Sequence, residues 1–127
     1  LDGILGVENF DTSLAEGVML LTPFAADAQD DATKAFVSAY EAAYGETPNQ
    51  FAADAYDAIY IIKAAIEKAD VKPSQSVSEI GDALEKAITE ITYEGITGKG
   101  MTWSESGEVN KDPMAFVIKN GVYVSAE

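Results

Sequence analysis

Gly17-Val18-Met19-Leu20-Leu21-Thr22-Pro23 is the stretch on which the fold turns. The run is short, unbroken and apolar, which reads as a strand buried on both faces, as in a parallel sheet. Pro23 closes it, because a proline ring leaves no N–H for a ladder. Beyond Pro23 the period changes. After the acidic turn Ala26-Asp27-Ala28-Gln29-Asp30-Asp31, apolar side chains recur at Ala32, Ala35, Phe36, Ala39, Tyr40 and Ala43. That spacing predicts an amphipathic helix over about 31–44, with Asp30 and Asp31 at its positive end and Gly45 as its stop.

Thr47-Pro48-Asn49 interrupts the pattern, and a second helix is expected from about Phe51 to Ala69. Its stripe is Ala55, Ile59, Ile62 and Ile66, widened by Ala52, Ala58, Ile61 and Ala65, so it should pack against more than one neighbour. Ser76-Val77-Ser78-Glu79 is a capping box that opens a third helix, whose stripe is Ile80, Leu84, Ala87, Ile88 and Ile91. From Tyr93 the chain shortens into extended pieces divided by Gly95, Gly98, Gly100 and Gly107. Asn120-Gly121 between apolar runs is a two-residue hairpin signal, since both central positions of a type I′ turn need positive φ. One strand, three helices, small strands and a terminal hairpin make an α/β pattern.

Composition narrows the function. Over 127 residues, 22 acidic side chains face eight basic ones, a formal net charge of −14 that repels phosphate backbones and anionic lipid surfaces. Nucleic acid is therefore not an expected partner. Neither Cys nor His is present, which removes thiolate and Ser-His-Asp nucleophiles, His-based zinc sites and the usual neutral-pH base. The chain is read as not an enzyme, and no cofactor or metal is expected. The turn Gly95-Ile96-Thr97-Gly98-Lys99-Gly100 lacks phosphate-loop spacing. Asp27, Asp30 and Asp31 lack calcium-loop spacing and are accounted for by helix-start electrostatics. Glu8, Asp11 and Glu16 offer no singled-out pair for acid–base work. Phe51, Tyr56 and Tyr60 are ordinary aromatics of an apolar helix, but Phe51 falls at the first turn after a break, where a side chain can face a cleft.

Taken in order, Ala15-Glu16-Gly17-Val18 through Thr22-Pro23-Phe24, then Tyr44-Gly45-Glu46-Thr47-Pro48-Asn49, Ala55-Tyr56-Asp57-Ala58, Tyr93-Glu94-Gly95-Ile96-Thr97-Gly98 and Trp103-Ser104-Glu105-Ser106-Gly107, the series resembles a known family. It is similar to the periplasmic-binding-protein type 1 substrate-binding proteins of ABC transporters, typified by the leucine/isoleucine/valine-binding protein. The resemblance implies two α/β lobes joined by crossovers, with ligand trapped between them. Residues 1–22 would belong to the C-terminal lobe, 23–112 to the N-terminal lobe with its crossovers, and 113–127 would return as a hairpin to the C-terminal lobe. Leu1-Asp2-Gly3-Ile4 lacks an initiator Met and reads as the interior of a larger protein, so a C-terminal fragment is expected.

The function implied is the substrate-binding component of an uptake transporter, closing about a hinge on an amino acid that is branched-chain or a similar small zwitterion. The implied partners are that ligand and the transporter's membrane permease. The implied location is periplasmic or extracellular, reached by a signal peptide in the parent, with a lipid anchor as one form. The sensing domain of a receptor is the alternative within the fold; a carboxylate-based enzyme is the alternative outside it. By resemblance, Phe51 lines the side-chain pocket with a loop near Phe24, and Asp2 lies beside the turn whose acid holds the ligand ammonium. The stripe Ile59, Ile62 and Ile66 is expected to be exposed or covered by another copy, hence self-association.

Overall fold

The computed structural model describes residues 4–126. The residues fall into two compact units, one comprising the chain up to Ala53 together with that from Pro113, the other Asp54–Asp112.

In the first unit, strand β1 (Met19–Thr22) lies beside β4 (Met114–Lys119), which pairs in turn with β5 (Val122–Ser125), in the order β1-β4-β5. Both pairings are antiparallel, with Leu20 opposite Phe116 and Ile118 opposite Tyr123. β4 and β5 are joined by Asn120 and Gly121, both at positive φ (51° and 75°), the geometry that an Asn-Gly turn supplies without splaying the strands. Glu16 accepts the Asn120 N–H at 2.8 Å, and a Cβ on Gly121 would stand 3.1 Å from the Thr12 hydroxyl, so the turn is held as well as shaped.

The core of this unit sits on one face of the sheet. Leu20, Phe116 and Ile118 are buried there with Ala15 and Ala25, and Ile4, Leu5, Phe10, Val18 and Tyr123 pack around them. Helix α1 (Asp31–Tyr44) is capped by Asp30, whose carboxylate accepts the Thr33 N–H, and ends at Gly45 in the left-handed conformation (φ 75°). Phe36 of α1 meets Phe24 edge-on, with centroids 5.8 Å apart.

The reading of β1 as a parallel strand buried on both faces needs correction. β1 pairs antiparallel with β4, and only alternate residues are covered: Leu20 and Thr22 are buried while Met19 and Leu21 are open. A doubly apolar run implies layers on both faces of a sheet, and the described residues supply one.

The second unit holds most of α2 (Gln50–Ala69), α3 (Val77–Ile88) and the short antiparallel pair β2 (Thr102–Trp103) and β3 (Val109–Asn110). The capping box is complete: Ser76 and Glu79 each bond the other's backbone N–H. On α2 the expected stripe lies on the outer side, with Ile59, Ile62 and Ile66 at 67%, 49% and 40% exposure. The buried side is Ala53, Asp57 and Ala65, with Ile61 half-buried between them, one step round the helix. An acidic residue at its centre hides this face from any reading of apolar period.

Candidate functional site

Three segments of the first unit surround a hollow of about 820 Å³. The first is the end of β1 and the loop after it: Leu20, Thr22, Phe24, Ala25, Ala26 and Asp27. The second is the connection from α1 into α2, Thr47 to Gln50. The third is the hairpin, through Phe116, Gly121, Val122 and Tyr123, with Leu5 completing the wall.

Each wall is fixed by local chemistry. Pro23 ends β1, and the Thr22 hydroxyl then turns back on the chain, accepting the Phe24 N–H at 3.4 Å. The same oxygen lies 3.1 Å from the Phe24 carbonyl and 3.0 Å from Gln50 Oε1, two acceptors for its single proton. Thr22 thereby ties the end of the strand to the start of α2. The second wall begins where Gly45 stops α1. Thr47 donates to Glu41 at 2.8 Å, Pro48 is buried, and the Asn49 side chain accepts the Ala52 N–H at 3.1 Å as the cap of α2. An Asn that caps a helix leaves its amide nitrogen to donate elsewhere.

The described lining is dominated by apolar and aromatic side chains, with Thr22, Thr47, Asn49 and Gln50 as polar contacts and Asp27 as the one carboxylate among the described residues. No Lys or Arg is among the lining residues. Such walls suit the uncharged part of a small ligand. They offer no cation to a carboxylate.

Of the residues chosen from sequence, Phe24 lines the hollow and is 5% exposed. Phe51 does not line it and stands 67% exposed on the first turn of α2, beside the lining residue Gln50. Asp2 lies outside the described residues. The hydrogen bond between Thr22 and Gln50, 28 residues apart, has no sequence signal beyond a Thr before Pro23 and a polar residue after Asn49.

The second unit contains a charged network that sequence reasoning missed. Asp57, 2% exposed, accepts the Ile96 N–H at 3.1 Å, the Thr97 N–H at 2.8 Å and the Thr97 hydroxyl at 2.7 Å. Lys111 then donates to that hydroxyl at 2.8 Å and reaches Asp54 at 3.3 Å. The turn passes so close that a Cβ on Gly95 would stand 2.3 Å from Asp57 Oδ2. Burial, reinforced by the nearby Asp57 charge, pushes the Tyr93 phenol above its ordinary value. Every lone pair in use on Asp57 serves the turn, so this carboxylate clamps structure. No group of three or more acidic side chains is placed to hold a metal ion among the described residues.

A family model described as periplasmic binding protein matches residues 7–121. No curated protein gives a significant match. Among solved structures, a putative branched-chain amino acid ABC transporter from Rhodospirillum rubrum is 31% identical, with a TM-score of 0.67 over 92% of this chain and 34% of its own. The branched-chain amino acid transporter substrate-binding protein LivJ from Streptococcus pneumoniae, solved with isoleucine, is 28% identical, with a TM-score of 0.68 over 89% of this chain and 30% of its own. A solute-binding protein of an ABC transporter from R. palustris, solved with benzoate, shares the fold at 17% identity, with a TM-score of 0.73 over 99% of this chain and 32% of its own. The chain therefore spans about a third of the length of the structures it resembles.

Proposed function

Because the chain belongs to the periplasmic binding protein family, we propose that it is part of the substrate-binding component of an ABC uptake transporter, one that binds an amino acid with an aliphatic or similarly small side chain by hinge closure. The observation that carries the reading is the hollow of the first unit, apolar and free of basic side chains in its lining. An aliphatic side chain loses water there without stranding a charge, whereas a ligand carboxylate would be desolvated without a cation beside it. The likeness to proteins whose names specify branched-chain amino acids points the same way.

In this reading Phe24 forms the floor against the ligand's apolar end and Phe51 approaches it from the first turn of α2. Asp2 neighbours the acid that holds the ammonium. Residues 1–22 and 113–127 belong to one lobe and 23–112 to the other. The protein works outside the cytoplasm, passes its ligand to the transporter's membrane permease, and performs no chemistry on it.

Calorimetry with a panel of amino acids on the 127-residue chain and on the intact protein tests the proposal. Apart from Asp27, the described lining presents no charged group to the ends of the ligand, and each hydrogen bond to a charge contributes about 1.5–3 kcal/mol. Two or three such losses weaken binding by several powers of ten. The expected result is tight binding by the intact protein, none by the chain alone, and weaker binding in the intact protein after Phe51→Ala. Micromolar binding by the isolated chain would place the charged grip within these 127 residues and overturn the site assignment. An intact protein that binds benzoates and no amino acid would overturn the ligand class.

A further inference from the structure

Of the four asparagines in the chain, Asn9, Asn49, Asn110 and Asn120, only the last is followed by glycine. Asparagine is a thermolabile residue type, because the backbone nitrogen of the next residue can attack its side-chain amide carbon. A side chain on that next residue obstructs the approach. Phe10, Gln50 and Lys111 obstruct it at the first three asparagines, and Gly121 has nothing to obstruct it with at the fourth.

The fold leaves the same position open. Asn120 is exposed at the tip of the β4–β5 hairpin, and it is held there through its backbone N–H, which Glu16 accepts at 2.8 Å. Among the described residues, neither its side-chain amide nor the Gly121 N–H is engaged by a hydrogen bond. Asn49, by contrast, has its amide oxygen tied to the Ala52 N–H, and Asn110 is paired opposite Thr102 in β3.

We propose that Asn120 is a site of spontaneous deamidation, and that the modification loosens the hairpin wall of the hollow. The Gly121 nitrogen bonds to the Asn120 Cγ, the Cγ–Nδ2 bond breaks, and the amide leaves as ammonia with the proton of the Gly121 N–H. The five-membered imide then takes up one water. Opening beside one carbonyl gives aspartate; opening beside the other gives isoaspartate, whose main chain runs through the former side chain and is one methylene longer. Both products put a carboxylate on the residue whose N–H Glu16 accepts, so like charges meet where a bond held the turn. The longer main chain of isoaspartate also misfits a two-residue turn that sets Lys119 opposite Val122. Gly121, Val122 and Tyr123 follow directly and line the hollow. The chemistry stands on the turn alone; its effect on binding rests on the hollow as the ligand site.

The test ages the intact protein in mildly alkaline buffer, follows the mass of each asparagine peptide after digestion, and scores isoaspartate by enzymatic methyl transfer. The Asn120 peptide should gain the mass of an amide-to-acid exchange about ten-fold or more faster than the peptides of Asn9, Asn49 and Asn110, as an unobstructed glycine nitrogen allows. Isoaspartyl protein, separated chromatographically, should unfold at lower urea than Asn120→Asp, which carries the new charge on a main chain of normal length. Equal rates at all four asparagines, or isoaspartyl protein with the wild-type urea midpoint, would overturn the proposal. So would an Asn120 that stays intact until the protein is unfolded in urea, since the folded turn would then shield the amide. Calorimetry with amino acids separates the two readings. A lowered midpoint with weakened binding supports both, whereas a lowered midpoint with unchanged binding leaves the modification standing and overturns the hollow as the ligand site.

Discussion

Two buried polar groups illustrate opposite rules. Asp57 has donors on both oxygens, from the backbone and side chain of the turn at Ile96 and Thr97. Removing it strands two N–H groups, so Asp57→Ala should lower stability by about 3 kcal/mol in urea denaturation. Gly95→Ala should cost a similar amount, because the new methyl would stand 2.3 Å from the carboxylate oxygen. If either variant unfolds with the wild-type midpoint, the clamp contributes nothing. The Tyr123 hydroxyl is the reverse case, a buried polar atom without a hydrogen-bond partner among the described residues. An unmade bond costs the desolvation of the group. Tyr123→Phe is therefore expected to leave stability unchanged or raise it by about 1 kcal/mol, and a loss on the same denaturation curve would show that the hydroxyl has a partner. The sequence announces neither role: Asp57 sits in an apolar helix as Ala-Tyr-Asp-Ala, and its partners lie 39 and 40 residues away.

The helices and the hairpin follow local rules closely enough to be read in advance. α1, α3 and the Asn120-Gly121 turn fall where capping residues and positive-φ positions put them. α3 carries a pH-dependent cap. The Ser76 N–H and hydroxyl bond the Glu79 carboxylate and hold its pKa below the usual 4.5. A carboxylate whose pKa is lowered on folding stabilises fully above its unfolded value, and that contribution fades as pH falls through the folded one. Following helicity from about pH 6 to about pH 3, the difference between wild type and Glu79→Gln should shrink as the medium acidifies. A difference independent of pH would remove the ionised cap from the account. α2 obeys its own period less simply. Two apolar stripes compete on one helix, and which is buried depends on Asp57 finding its turn.

For the molecule as a whole, charge sets the conditions under which the chain stays folded. With 22 acidic against eight basic side chains, self-repulsion opposes compaction, and it is screened over roughly 8 Å at physiological ionic strength. The thermal midpoint should rise between low salt and about 0.5 M sodium chloride; a midpoint that stays flat or falls would show that local ion pairs such as Lys63–Glu67 outweigh the net field. The sequence by itself determined the first strand, the three helices, the terminal hairpin, their order and the family, because caps, turn residues and apolar period act over a few neighbours. It also removed thiol and imidazole chemistry, since those residue types are missing. Only the tertiary structure decided that β1 pairs antiparallel with β4, that Thr22 meets Gln50 beside the hollow, that Phe24 lines that hollow while Phe51 stands outside its lining, and which side of α2 is buried. Those outcomes depend on segments far apart in the chain competing to remove apolar surface from water while giving each buried polar group a partner.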